Sequence, residues 1–372
     1  MKEKPNIHTL IKKEHYCNGE YSMPAFSDSA KRDLVYSAIA HEPTGLIPYV
    51  IFFQPNISLR LAELFQVDRI EKIADNSIEW IGNTFSNSRM EELGILKDGE
   101  YIDEWGVYWK GVGETRGQVK THPLSEPSLD GYTFPAALPP DIVSQMNNQA
   151  KRSSNKYRCA KLGALWEQAT FLRGMEELLV DLLVNPGFVH DLLDGILDVL
   201  MKNLDLYQRE LNLDCIWLSD DYGAQKNLLM SPLLWREFIK PRVQQVCDAV
   251  HDRGYHFALH SDGAIDAVIP DIVDIGVDLL NPLQSECVDV NQVKREYGEY
   301  ITIWGGYGSQ RTIAFGTPDQ VRREVHETCD SLGSGGGFIL SPGLSIQNDV
   351  PVDNAVAFIE TAIERESGHF PD

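Results

Sequence analysis

The chain has 372 residues, 43% hydrophobic and 24% charged, an ordinary texture for a protein with a buried core, which excludes collagen-like, disordered and disulfide-scaffold classes. Lys and Arg number 33 against 55 Asp and Glu, and the net charge of −22 argues against nucleic acid and anionic membranes, both of which need a cationic face. The six cysteines lie far apart with no Cys-x-x-Cys pair, and no run matches a signal sequence or a membrane span, so the expectation is a cytoplasmic protein with reduced thiols.

Residues 1–28 are polar and aperiodic and read as an arm ahead of a single domain over 29–368. Ser29 stands as an N-cap before "AKRDLVYSAIA", whose apolar positions fall at helical spacing. The run "LIPYVIFF", Leu46 to Phe53, ends at Gln54-Pro55-Asn56 and predicts a strand buried on both faces, with a helix from Ser58 to Phe65 after it. Between residues 99 and 135 the segments "EYIDEWGVYWKG" and "GQVKTHPL" alternate and carry turn residues, which predicts a hairpin insertion. The prolines of "LDGYTFPAALPPD" make that section loop.

From Tyr157 the chain falls into a rhythm. Strand-like runs occur at "YRCAKLG", "CIWLS", "YHFALH", "DLLN", "ITIWGG" and "GFILS". Helical segments follow most of them: from Met175 to Leu183, Pro186 to Leu211, Pro232 to Arg253, Ala264 to Ile275, Pro318 to Leu332 and Asp353 to Ile363. Parallel strands need such crossovers, and counting the strand near residue 50 and one more that the pattern does not place gives about eight, which favours a closed (β/α)₈ TIM barrel over an open sheet. The stretch "GSGGG" precedes a strand and reads as a helix-to-strand turn rather than a phosphate cradle.

Active sites of such barrels gather at the C-terminal strand ends, which makes the residues closing each run the candidates. These are Glu167 past "AKLG", Asp220, Asp221 and Tyr222 after "CIWLS", and His260 with Asp262 after "YHFAL". Asn281 and Gln284 close "DLL", Gln310 follows "ITIWGG", and Gln347 follows "GFILS". His260 and Asp262 are two apart, so extended backbone points both to one side, a spacing that serves a metal or a shared proton. The alternative is that His260 caps its strand and Asp262 N-caps a helix near Ala264. Asp220 and Asp221 are catalytic candidates or a solvated turn, and Glu167 is a site carboxylate or the partner of Arg173. Tyr222, Trp304 and Trp105 either line the mouth or pack as core and lid.

These segments together resemble the uroporphyrinogen decarboxylase superfamily, which includes corrinoid- and coenzyme-M-linked methyltransferases. The resemblance runs from about residue 30 to 365 and is densest at "LSDDYGAQKNLLMSPLLWREFIKPR", "LHSDGAIDAVIPDIVDIGVDLLNPLQ" and "WGGYGSQRTIAFGTPDQVRREV". It implies the same barrel. True decarboxylases carry an Arg-rich signature after the first strand, whereas "FFQPNIS", Phe52 to Ser58, holds no arginine to pair porphyrinogen carboxylates. The thiol-methylating members bind zinc through a His-x-Cys pair and a later Cys. Here His260 matches the histidine, Asp262 replaces the first cysteine, and Leu344 stands where the second would be.

The resemblance therefore implies methyl transfer from a small methoxylated or methylated substrate to the cobalt of a corrinoid (cobalamin) on a partner protein, as in O-demethylase systems. His260, Asp220 and Asp221 are the expected catalytic groups, and Tyr222, Asn281, Gln310 and Gln347 the substrate contacts. His260, Asp262 and Glu167 are the expected ligands if zinc or a harder cation is bound. The alternatives are uroporphyrinogen decarboxylation and a non-catalytic barrel that binds a corrinoid or small ligand.

Overall fold

The computed structural model describes residues 30–82, 100–112 and 115–368, so the expected arm over 1–28 lies outside the described residues. Seven strands form one parallel sheet in the order β1 (Ile78–Ile81), β5 (Tyr157–Gly163), β6 (Cys215–Ser219), β7 (His256–His260), β8 (Leu279–Leu283), β9 (Thr302–Tyr307) and β10 (Phe338–Pro342). Every neighbouring pair is parallel. The eighth position is taken by the extended segment 47–53, which bonds β10 along one flank: Val50 N donates to Leu340 O, and Leu340 N to Pro48 O, both at 2.9 Å. Along its other flank Ser77 N donates to Tyr49 O at 3.0 Å, and the ring is closed. The expected (β/α)₈ barrel is the fold.

Helices cover the outside. They are α1 (Ala30–Ile39), α2 (Pro55–Leu64), α3 (Pro140–Arg152), α4 (Trp166–Arg173), α5 (Met175–Val184), α6 (Pro186–Glu210), α7 (Lys240–His251), α8 (Ile269–Ile275), α9 (Val290–Tyr297), α10 (Pro318–Gly333) and α11 (Val352–Ser367). Among the described residues none is long and apolar enough to cross a membrane. The best-capped is α10, where Thr317 and Gln320 form a reciprocal capping box with proline in the first turn. The helix expected over Pro232 to Arg253 is instead a single turn, a π-helical turn at Trp235–Ile239, and then α7. The insertion is an antiparallel sheet of β2 (Glu100–Ile102), β3 (Tyr108–Val112) and β4 (Thr115–Thr121).

Alternation along each strand sorts side chains between the barrel interior and the helical layer. The interior cluster holds Val50, Ile78, Cys159, Cys215, Ala258, Leu279, Trp304 and Ile339, each contributed by a different strand. Val35, Ala38 and Ile39 of α1 join it, so α1 seals the end where the strands begin. Asp214, just before β6, ties that floor together: it accepts from Arg158 N at 2.8 Å, Arg32 Nη2 at 2.6 Å and Tyr36 OH at 3.0 Å.

Candidate active site

The open end of the barrel carries the candidates. Register places Ser219 of β6 beside His260 of β7, and His260 beside Asn281 of β8. Trp217 Nε1 lies 3.3 Å from Asn281 Oδ1. An indole N–H only donates, so that atom of Asn281 accepts, and its Nδ2 donates to Trp304 O at 3.4 Å. His260 Nδ1 lies 2.9 Å from the same Oδ1 and must be the protonated nitrogen. In the neutral ring Nε2 therefore holds a lone pair, and it faces Asp221 Oδ1 across 3.5 Å.

Asp262 completes the cluster. One ligating atom from each of Asp221, His260 and Asp262 lies within 4.8 Å of the others. Oδ1 of Asp262 is buried and makes no hydrogen bond. Burial, with repulsion from Asp221 and Glu167, pushes the Asp262 carboxyl up to about 6 against the attraction of His260. Apart from Asp262 N, which donates to Asp221 Oδ1, these three acceptors converge with no donor from the described residues among them, an arrangement that a proton or a cation would satisfy. The donor set, one imidazole and two carboxylates, fits a divalent ion of the zinc type or harder.

The backbone that brings these groups together depends on two glycines. A Cβ on Gly223 would sit 2.7 Å from backbone atoms of Asp262, Gly263 and Ala264, and one on Gly263 would sit 2.5 Å from Gly223, whose neighbour's carbonyl accepts from Ala264 N at 2.8 Å. Only hydrogens fit where the loops after β6 and β7 touch, and Gly263 also has φ +84°. Across that contact Asp262 N donates to Asp221 Oδ1 at 2.9 Å, and Gly263 N donates to Gln284 Oε1 at 2.7 Å.

Other expected site residues lie elsewhere. Asp220 is completely buried, and its Oδ1 accepts from Leu165 N at 2.9 Å and Glu167 N at 3.0 Å while Oδ2 accepts from Tyr222 OH at 2.9 Å. It holds the start of α4 from behind and does not face the mouth as a catalytic acid. Burial pushes its carboxyl up to about 7, even though these hydrogen bonds oppose the shift. Tyr222 is equally buried, edge-on to Trp235, with its hydroxyl turned to Asp220. Glu167 is half-buried and close enough to raise Asp262, but it stands outside the three-residue group. Arg173 pairs with Asp181 at 2.7 Å rather than with Glu167.

The helical segment expected from Ala264 to Ile275 begins two residues later and runs into α8, with Ile265 rather than Asp262 at its N-cap. The first turn there is Asp266–Val268, so Asp262 caps nothing. Gln310 is exposed, with its backbone N on Glu286 Oε1, and Gln347 donates to Ser345 O; no hydrogen bond joins either to the cluster. Trp105 belongs to the insertion, where its carbonyl accepts from Tyr132 OH.

Of the wall of the mouth only Trp304 was anticipated; Trp80, Trp217 and Phe52 were not. Trp80 meets Trp217 edge-on at 4.8 Å and stacks on Trp304 at 5.7 Å, and Trp217 lies 4.8 Å from the His260 ring. Phe52 extends this wall at 6.0 Å from Trp80, and Lys161 Nζ lies 5.3 Å over Trp217. Parity could have found these residues, since Trp217 stands two before Ser219 on the same face of β6.

A family model for uroporphyrinogen decarboxylase (URO-D) matches residues 150–365. A uroporphyrinogen decarboxylase of Pseudomonas fluorescens is 24% identical over 273 residues, covering 70% of this chain and 71% of that protein. One of Shewanella halifaxensis is 23% identical over 216 residues, covering 54% of this chain and 57% of that protein. Among solved structures, a methyltransferase from Methanosarcina mazei superposes with a TM-score of 0.65 at 17% identity, covering 90% of this chain and 99% of that one, a likeness of fold.

Proposed function

The chain belongs to the uroporphyrinogen decarboxylase family, and on that premise we propose that it is a methyltransferase. It moves a methyl group from a small methoxylated or methylated substrate to the cobalt of a corrinoid carried on a partner protein. The convergence of His260 Nε2, Asp221 and Asp262 beneath a wall of indoles carries this reading. Methyl–oxygen and methyl–nitrogen bonds yield to a nucleophile when the charge growing on the departing heteroatom is met by a proton or a Lewis acid.

His260, Asp221 and Asp262 would hold a zinc-type cation, which when bound supplies that Lewis acidity. The residues have their own part. Asn281 keeps the imidazole in the tautomer whose lone pair faces the cluster. Without the cation, Asp262, raised to about 6 by burial, would hold a proton part of the time near neutrality and could hand it to the leaving atom; with the cation bound it serves as a ligand and that charge is met by the Lewis acid instead. Trp80, Trp217 and Trp304 exclude water and orient an apolar donor.

The relatives' names favour a second reading, porphyrinogen decarboxylation. Against it stands the absence of arginine in Phe52 to Ser58; inside the described barrel the mouth offers the indoles of Trp80, Trp217 and Trp304 and the single ammonium of Lys161 over Trp217, not a guanidinium fork. The test supplies free reduced cobalamin with a panel of methyl ethers and methylamines and follows methyl transfer by absorbance. Transfer from at least one donor is expected. No transfer from any donor, even with the corrinoid protein added, sinks the reading, and coproporphyrinogen formation establishes the second one.

A further inference from the structure

Between the segment 47–53 and β1 the barrel wall is not a continuous ladder. Asn76 Oδ1 accepts from Ile51 N at 2.8 Å and Asn76 Nδ2 donates to Ile51 O at 3.0 Å, so one carboxamide satisfies the edge of the segment. Opposite it, Gln149 of α3 treats β1 in the same way: Nε2 donates to Trp80 O at 2.6 Å, and Oε1 accepts from Gly82 N at 3.0 Å. Strand-edge groups removed from water must be paired somewhere. Two side-chain amides do here what a neighbouring strand does around the rest of the ring.

Between these amides lies a cavity of about 230 Å³ lined by Ile51, Phe52, Phe53, Ala74, Glu79 and Trp80, among others. Its lining comes from both sides of the wall. Phe52 and Trp80 alternate toward the interior, Ile51, Phe53 and Glu79 toward the outside, so the cavity lies in the gap between the two strands. Trp80 closes the inner end and packs on Trp217, which touches His260. The indole Nε1 of Trp80 is buried without a hydrogen-bond partner, so packing alone holds the ring in place.

Size and charge define what fits. The slot is half polar, with Glu71, Asn76, Glu79 and Lys156 among its walls, and at about 230 Å³ it is larger than the apolar cavity of about 150 Å³ that admits benzene, so a single ring with a polar substituent fits. At the outer rim Lys156 is matched by Asp75 at 2.6 Å and Glu79 at 3.7 Å, with Glu71 beside them, which leaves a net negative entrance that disfavours anions.

We propose that this slot is a side entrance, a binding site and passage for an uncharged molecule of about one substituted ring, leading through the wall to Trp80 and on to the His260 cluster. The inference rests on the methyltransferase reading, in which a large methyl acceptor covers the barrel mouth and a small donor or its demethylated product needs another way past.

The test soaks crystals of the full chain in 4-bromophenol at neutral pH and looks for the anomalous bromine signal. A peak between Phe52 and Trp80 is expected, absent from the plugged variants Glu71→Trp and Phe53→Trp and retained in Glu71→Gln. With the corrinoid protein bound, turnover in both plugged variants should fall roughly tenfold, because passage becomes limiting. Transfer to free reduced cobalamin, which leaves the mouth open between encounters, should stay at the wild-type rate. An empty slot in the wild type, or plugged variants with unchanged turnover, overturns the proposal. Bromine in the slot of a protein that transfers no methyl group retires the methyltransferase reading and leaves the binding site standing.

Discussion

His260 donates from Nδ1 to Asn281, so the nitrogen it turns to the mouth is the basic one. Metal analysis of the purified protein should give close to one zinc per chain, falling sharply in His260→Ala; equal content in both leaves the cation without support. Behind the cluster, Asp220 is a separate experiment in electrostatics. Its folded pKa, about 7, lies above the ordinary 3.8. A raised carboxyl binds its proton more tightly in the folded state, so its contribution to stability is present below the ordinary value and is lost as pH rises toward 7. Asp220→Asn keeps the acceptor for Leu165 N and Glu167 N and carries no charge. Its melting temperature relative to wild type should therefore climb between pH 4 and 7; a difference that stays flat across that range contradicts the assignment.

At the scale of elements, the strands from Tyr157 onward were legible because each is a short apolar run closed by polar residues, and "CIWLS" coincides with β6. The segment 47–53 was legible as extended but not as irregular, since its pairing through Asn76 and Ser77 depends on residues far along the chain. The buried position of Asp220 was not legible for a related reason. Two adjacent carboxylates look alike in a sequence, and only the return of α4 over the strand end sends one inward to Leu165 N and leaves the other, Asp221, at the mouth. At the opposite end, Asp214 links α1 to the sheet, with Arg158 and Arg32 on its oxygens. These partners hold its carboxyl below the ordinary range although burial pulls the other way. Its contribution is thus present above the ordinary carboxylate value and lost as pH falls through the folded one. Asp214→Ala leaves Arg158 buried without its counter-charge and should cost about 3–5 kcal/mol in denaturant unfolding, the range for breaking a buried pair. A loss under about 1 kcal/mol, the scale of a surface pair, refutes the clamp.

The barrel was readable from the strand–helix rhythm, although β1 at Ile78–Ile81 was counted without being placed, because parallel strands joined by helices have few ways to bury both faces. What the rhythm does not contain is the width of the mouth, the indoles that wall it, or the gap between its first two staves, each of which arises where distant segments meet. The sealed end has a practical meaning. With α1 stoppering the base through Val35, Ala38 and Ile39, a group attached at the exposed Asp33 of α1 sits at the pole opposite His260. Anchored to a bead or an electrode by that handle, the protein would stand with its reactive rim turned to the solution.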